Sequence, residues 1–302
     1  MTLPRTAGFA MLMVGLSSIG FGLVPYFART LTEQGLAAPA IALFRYMIPA
    51  VVFLPFLRLR GAQGRASLWA FCSGLTVGLG WIGYVLSLGL MSVPTAAVLY
   101  MTYPFFTLII GWLVFQDRPA PRAIFGSVLI LAAALLATSQ AAPVGTATVA
   151  LTGFALFCGL TAPVSFGLAI NVLARRLTVL SPLSRMAAFT GGSVLGLLPL
   201  ILTYPASAVF PASSAQWLLV LALGLGSALI PQLLYNAFVP RIGAASAAAL
   251  GSVELPTMFA IGWIALGDSP GPREIAAGVL VLTAILLTPA QNPSPKKPES
   301  VT

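Results

Sequence analysis

Ten long runs of apolar residues, separated by short links that contain arginine, proline or aspartate, make up most of this sequence. A helix that crosses a bilayer needs about 20 mainly apolar residues, because it rises ~1.5 Å per residue through ~30 Å of hydrocarbon. Hydrophobic residues form 59% of the chain and charged residues 7%, which is more apolar surface than a soluble fold of this size buries. The sequence therefore predicts an all-α integral membrane protein. Its ten predicted transmembrane helices are Ala7–Ala28, Ala40–Leu57, Ser67–Gly89, Thr95–Phe115, Ala123–Thr138, Ala147–Leu173, Leu183–Tyr204, Ala215–Phe238, Ala244–Leu266 and Ile275–Thr288.

Lysine and arginine are distributed unevenly between the two sides of the predicted membrane. One side receives only Arg29 and Arg273, and Arg45 lies inside the second span near the same face. Because cytoplasmic loops carry the excess of basic residues, both termini are predicted to be cytoplasmic in a multi-pass protein of the plasma (inner) membrane. The other side receives Arg5, Arg58, Arg60, Arg65, Arg118, Arg122, Arg175, Arg176, Arg185, Arg241, Lys296 and Lys297.

The composition excludes several classes of function. The net charge of +9 is scattered between apolar runs, so no nucleic-acid partner is predicted. Histidine is absent, and Cys72 and Cys158 lie inside apolar runs, which predicts no metal, no disulfide and no cofactor. No nucleotide-binding glycine loop and no protease or esterase motif occurs. The chain is therefore predicted not to be an enzyme, with an intramembrane enzyme as the less favoured alternative.

The segment Gly111–Leu136 is repeated 151 residues later as Gly262–Leu287, with 13 of 26 positions identical. The shared pattern G-W-x4-D-x-P-x-P-R does not arise from hydrophobicity alone. We therefore divide the chain into a first five-helix repeat at 1–138, a second at 147–289, and a disordered cytoplasmic tail at 290–302. Since five is odd, the second repeat enters the membrane from the opposite side, and inverted repeats in transporters enclose a site near the midplane. The alternative is a duplication retained only for packing.

Five short segments carry a resemblance to a known family. They are Ala42–Tyr46, Gly89–Val98 leading into Tyr103-Pro104, Arg241–Ala248, Glu254–Pro256, and Gly262-Trp263 with Leu266–Asp268. These segments resemble the drug/metabolite transporter (DMT) superfamily, specifically its EamA-type ten-helix members, and the resemblance covers nearly all of residues 7–288. The family usually has glutamate directly before proline in its ninth helix, whereas Leu255 intervenes here. Asp117 and Asp268 stand at helix ends where the family has glutamate.

The resemblance implies two five-helix bundles around a central cavity, and export of metabolites such as amino acids. The same family includes importers and carriers of lipids or nucleotide sugars, so the fold does not define the substrate. We predict a secondary transporter that exports a small polar metabolite, with amino acids the leading candidate, by alternating access. A lipid-carrier flippase of the same fold is the alternative. The predicted partners are a small-molecule substrate and the lipid bilayer, with protons as a candidate coupling ion, and both monomer and homodimer stay open.

Glu254 is the leading candidate for a substrate contact, because it lies near the middle of the ninth span. A carboxylate is costly at that depth, which predicts a contact with a substrate ammonium group or a proton-coupling acid. The structural alternative is a glutamate that bonds backbone groups freed by Pro256, which has no N–H. Arg45 could pair with Glu254 through an extended side chain, or it could reach the membrane interface, which is the favoured interpretation for Arg185.

A polar stripe follows one face of the fourth span. Tyr100, Tyr103 and Thr107 recur there at helical spacing, and Glu254 occupies the repeat position of Tyr103. We predict that the stripe lines the cavity, and helix packing is the alternative.

Two further groups are candidate gates at opposite ends of the cavity. Trp81 and Tyr84 lie near the outer end of the third span, where anchoring at the membrane interface is the alternative. Gln232, Tyr235 and Asn236 lie near the inner end of the eighth span. Asp117 and Asp268, each before a Pro-x-Pro-Arg turn, are predicted to cap the next helix.

Overall fold

The helices begin and end close to the ends of the apolar runs. The structure, a computed structural model, describes residues 3–88, 100–138, 149–266 and 272–287. Within those residues all regular structure is helical. The α-helices are α1 Leu3–Gly22, α2 Val24–Glu33, α3 Ala38–Phe53, α4 Gly61–Leu88, α5 Tyr103–Leu113, α6 Pro121–Thr138, α7 Val149–Arg175, α8 Pro182–Ile201, α9 Ala206–Val209, α10 Ser214–Gly224, α11 Ile230–Ile242, α12 Ala244–Gly251, α13 Glu254–Leu266 and α14 Pro272–Leu287.

Ten apolar helical segments correspond in order to the ten predicted spans. Among the described residues, seven segments are long and apolar enough to cross a bilayer, and three shorter apolar helices occupy the remaining positions. The prediction of an all-helical protein with about ten spans is confirmed. The start of the fourth span at Thr95, the predicted cap Asp268 and the tail at 290–302 lie outside the described residues.

Several spans are interrupted, and each interruption lies just before a proline. The first span breaks at Leu23, between α1 and α2. It then continues past the predicted end at Ala28 to Glu33. A π-helical turn, Leu225–Leu229, joins α10 to α11, and a two-residue turn at 252–253 separates α12 from α13. Proline has no N–H and its ring crowds the preceding turn, which explains breaks at these positions. The prolines that follow the three interruptions are Pro25, Pro231 and Pro256.

The two halves pack against each other in a two-fold pattern. By repeat position, α1 and α2 correspond to α7, α3 to α8, α4 to α10 and α11, α5 to α13, and α6 to α14. Helix α4 packs on α7, and their counterparts α11 and α1 pack on each other in the same way. Likewise α5 packs on α7, and α13 packs on α1. The corresponding pairs α3–α8 and α6–α14 are also in contact, as an approximate two-fold axis between the halves requires.

Helices α4 and α8 also pack on each other, and glycines allow their close approach. A Cβ atom at Gly74 on α4 would lie 1.9 Å from the carbonyl oxygen of Phe189, and one at Gly192 on α8 would lie 2.0 Å from that of Phe71. Both distances are far below van der Waals contact, so the backbones of α4 and α8 meet only because these side chains are absent.

The neighbouring glycines Gly191 and Gly192 provide a matched test of this packing. A Cβ atom at Gly191 would meet nothing within 4 Å. We expect Gly192→Ala to destabilise the folded protein by about 1–3 kcal/mol, because an overpacked contact forces the backbones apart. Gly191→Ala should leave stability unchanged. Thermal unfolding of the two variants in detergent measures the difference, and equal melting temperatures would contradict the role of Gly192.

Candidate functional site

Glu254 and Tyr103 occupy equivalent positions in two broken helices. Residues 101–102 form a turn just before α5, and residues 252–253 form a turn just before α13. Tyr103 and Glu254 are the first residues of the helices that follow. The break therefore places the start of a helix, and the carboxyl group of Glu254, near the middle of the segment Ala244–Ala265. Discontinuous helices of this kind form binding sites in many transporters.

A cavity with about 650 Å³ of empty space, including its opening, lies between the two halves. Both halves contribute polar groups to its wall, and aromatic and aliphatic side chains form the rest. The polar and tyrosine residues are Arg45, Tyr46, Ser73, Tyr100, Gln232, Tyr235, Asn236 and Glu254, and the apolar residues are Phe21, Phe166, Ala169, Ile170, Leu173, Leu177 and Phe189. Six residues singled out from the sequence line this cavity: Arg45, Tyr100, Gln232, Tyr235, Asn236 and Glu254.

Two opposite charges share the cavity without pairing. Glu254 is 6% exposed, and its carboxylate has no hydrogen bond or ion pair with the residues that the structure describes. Arg45 donates from Nη2 and Nε to the carbonyl oxygen of Ser227 at 3.3 and 3.4 Å. Its guanidinium carbon lies 5.6 Å from the ring centre of Phe21 and 5.8 Å from that of Tyr46. Arg45 therefore neither reaches the membrane interface nor forms an ion pair with Glu254.

The α11 face presents polar atoms without partners. The Oε1 atom of Gln232 and the hydroxyl of Tyr235 are buried, and neither has a hydrogen-bond partner among the described residues. The amide of Asn236 donates to the carbonyl oxygen of Gln232 at 2.8 Å. An unpaired buried polar group costs roughly 1–3 kcal/mol. A ligand that bonded these groups would recover part of that cost.

An aromatic cluster, defined here as Trp81, Tyr84, Tyr100, Tyr103 and Phe166, adjoins the cavity, and two of its members, Tyr100 and Phe166, line it. The ring centre of Tyr100 lies between 5.8 and 6.1 Å from those of the other four. Trp81 and Tyr84 stand behind Tyr100, outside the cavity wall, with their own rings 5.1 Å apart. The structure therefore places both predicted outer-gate residues in direct contact with a residue of the cavity.

Tyr103 and Thr107 lie behind the cavity wall. The hydroxyl of Tyr103 donates to the carbonyl oxygen of Ala248 at 3.4 Å, and a Cβ atom at Gly251 would lie 2.2 Å from that hydroxyl. Thr107 donates to the carbonyl oxygen of Tyr103 at 2.8 Å and is buried. The predicted stripe is therefore divided, because only Tyr100 and the repeat partner Glu254 reach the cavity.

Asp117 and Arg185 differ from their predicted roles. Asp117 was expected to cap α6, but its carboxylate pairs with Arg175, the last residue of α7, and so joins the two halves. Arg185 was expected at the membrane interface, but it is buried and donates to the carbonyl oxygens of Leu177 and Asn236 at 2.8 and 2.6 Å. In both cases a partner from another helix satisfies the charged group.

Sequence reasoning missed Asn171 and the apolar part of the wall. Asn171 is fully buried on α7, and its amide donates to the carbonyl oxygen of Thr107 at 2.8 Å. An amide inside an apolar run is a visible signal and could have marked it. Phe21, Phe166 and Phe189 carry no such signal, because phenylalanine is equally suited to lipid and to a cavity wall.

Comparisons with known proteins agree with this architecture. A family model described as the EamA-like transporter family matches residues 8–139 and 153–289. No curated protein matches the sequence. A solved structure, described only as a crystal structure of a protein, superimposes with a TM-score of 0.74 and 17% sequence identity, and the match covers 93% of this chain and 96% of that one. At that identity the likeness shows a shared fold.

Proposed function

The chain belongs to the EamA-like transporter family of the drug/metabolite transporter superfamily, and from this premise we propose that it exports a small zwitterionic metabolite, with amino acids the leading candidate. Members of the family are secondary transporters and not enzymes, and the chain contains two EamA repeats. We place the protein in the plasma membrane with both termini in the cytoplasm, because lysine and arginine are concentrated on the side of the termini.

The observation that carries the proposal is the unpaired Glu254 in a cavity shared by both halves. A carboxylate this deeply buried is costly unless it meets a cation or a proton. The ammonium group of an amino acid supplies the cation. The rings of Phe21, Tyr100 and Tyr235 line the same space, and ring faces attract ammonium groups. The carboxylate and the rings together favour a small cationic or zwitterionic substrate.

The position of the cavity between the halves supports a mechanism of alternating access. In the proposed cycle the aromatic cluster closes the outer end, and the α11 face with Gln232, Tyr235 and Asn236 forms the inner gate. Exchange of the two packing arrangements would open the cavity to one side at a time. Either a proton on Glu254 or the substrate gradient drives the cycle.

Counterflow in proteoliposomes tests the proposal. Vesicles loaded with one unlabelled amino acid are diluted into a trace of the same labelled compound, and a panel of amino acids is scanned at several pH values. We expect saturable labelled uptake for at least one amino acid, and none in protein-free vesicles. If no amino acid in the panel shows labelled uptake, and the same vesicles scramble a fluorescent polyprenyl-phosphate lipid, the protein is instead a lipid-carrier flippase.

A further inference from the structure

The span formed by α10 and α11 contains two carbonyl groups that have lost their usual helical donors. Pro231 is the second residue of α11, and Pro240 lies near the end of the same helix. Proline has no N–H. In a regular helix their N–H groups would bond the carbonyl oxygens of Ser227 and Asn236, four residues earlier. The π-helical turn Leu225–Leu229 surrounds Ser227, so the regular α-helical bonding of the span is interrupted at this point.

Two buried arginines supply the missing donors. Arg45 on α3 donates to the Ser227 carbonyl, and Arg185 on α8 donates to the Asn236 carbonyl. Helices α3 and α8 are repeat counterparts, so an arginine from each half bonds one end of the segment between Ser227 and Asn236. That segment carries Gln232, Tyr235 and Asn236 of the cavity wall.

The two arginines are held with different strength. Arg185 has bonds of 2.8 and 2.6 Å to two carbonyl oxygens and does not line the cavity. Arg45 has only the longer bonds of 3.3 and 3.4 Å to one oxygen, and it does line the cavity. Its Nη1 group makes no hydrogen bond to the part of the chain that the structure describes. The guanidinium of Arg45 can therefore accept a stronger partner from the cavity.

We propose that Arg45 binds the carboxylate of the substrate, and that this contact draws its guanidinium from the Ser227 carbonyl and so loosens the π-helical turn before Pro231. A carboxylate bonds a guanidinium through two parallel hydrogen bonds and carries a full charge, whereas a carbonyl oxygen offers neither. The proposal rests on the proposed function and narrows its substrate class to compounds with an anionic group for Arg45 and a cationic group for Glu254.

Pro231, which follows the π-helical turn, contacts helix α1 of the first half directly. The hydroxyl of Ser17 on α1 donates to the carbonyl oxygen of Pro231 at 2.6 Å. A Cβ atom at Gly20 would lie 2.3 Å from the ring of Pro231, so α1 fits closely around this proline. Movement at Pro231 would therefore shift α11 against α1, a contact between the two halves, when the cavity is occupied.

The ligand test uses an amino acid that the wild-type protein transports and its carboxamide, which keeps the ammonium group and lacks the negative charge. We expect wild-type protein to bind the amino acid roughly tenfold more tightly than the amide, or more. Arg45→Gln should bind the two equally, and Arg45→Lys should keep part of the preference. Arg29→Gln, an exposed residue on α2, is the control and should behave as wild type. If Arg45→Gln keeps the full wild-type preference for the amino acid over the amide, the proposal is overturned. If that variant does not fold, Arg45→Lys takes its place, and a full preference with wild-type affinity for the amino acid would overturn the proposal.

The hinge test uses the two prolines. Pro231→Ala restores a backbone N–H that can donate to the Ser227 carbonyl oxygen. Arg45 is then no longer needed as the donor to that oxygen. We expect tighter amino-acid binding and several-fold slower counterflow, because substrate no longer acts on the turn. Pro240→Ala, the matched change beside Arg185, should leave both quantities unchanged. The proposal is wrong if Pro231→Ala has no effect on either quantity or behaves as Pro240→Ala does.

Counterflow by the wild-type protein distinguishes failure of the proposed function from failure of the role of Arg45. Absence of counterflow for every amino acid in wild-type protein would reject the proposed function. If wild-type counterflow is normal but replacement of Arg45 leaves the preference for the amino acid over its carboxamide unchanged, only the role of Arg45 is rejected.

Discussion

Replacement of Glu254 by glutamine is expected to lower amino-acid counterflow by about two orders of magnitude or more without changing the amount of folded protein. The amide has nearly the same shape as the carboxylate, so packing in the cavity wall is preserved. The carboxylate has no protein partner among the described residues, so its loss breaks no internal contact. What disappears is the negative charge, which in the proposed function meets the substrate ammonium group; loss of a carboxylate that only carried the coupling proton would not have this effect on counterflow.

Counterflow at two or more pH values separates these two uses of Glu254. If the carboxylate binds the substrate, counterflow is lost at every pH. If it carries only the coupling proton, exchange of substrate for substrate persists and no longer depends on pH. Glu33→Gln removes the exposed carboxylate that pairs with Arg29 and is the control for a change of net charge. Wild-type rates and wild-type pH dependence in Glu254→Gln would exclude both roles.

Replacement of Tyr100 by leucine is expected to increase access to the cavity from the outer side by about tenfold or more. Tyr100 is the one ring that contacts all other members of the aromatic cluster. Each aromatic pair contributes about 0.5–1.5 kcal/mol beyond the area it buries, so loss of four contacts weakens the closed arrangement substantially. Leucine keeps the site apolar but cannot reach the four neighbouring rings.

A cysteine in the cavity wall reports this access. Ser73→Cys, in a background where Cys72 and Cys158 are replaced, is labelled with a membrane-impermeant maleimide added on the side opposite the termini. Tyr100→Phe keeps the ring and should label at the background rate. Tyr204→Leu changes a tyrosine outside the cluster and should do the same. Equal labelling of Tyr100→Leu and Tyr100→Phe would show that the cluster does not control entry.

The spans, the repeat and the charged site residues could be predicted from the sequence because each has a local signature. A run long enough to cross hydrocarbon is visible without knowledge of its neighbours. The repeat is visible because Gly111–Leu136 and Gly262–Leu287 share the same pattern of glycine, aspartate and proline positions. Glu254 and Arg45 stand out for the same reason, since a charge inside an apolar run conflicts with its surroundings wherever the helix packs.

Only the tertiary structure decided which apolar residues face the cavity and which partners the remaining charges find. Phe166 lines the cavity, whereas Phe157 on the same helix is 69% exposed on the outer surface. Lipid is as apolar as the interior of a helix bundle, so hydropathy cannot distinguish these two positions. Arg185 meets Asn236, 51 residues away on another helix of the same half, and Asp117 meets Arg175, 58 residues away in the other half, so only the tertiary packing of the helices decides these partners.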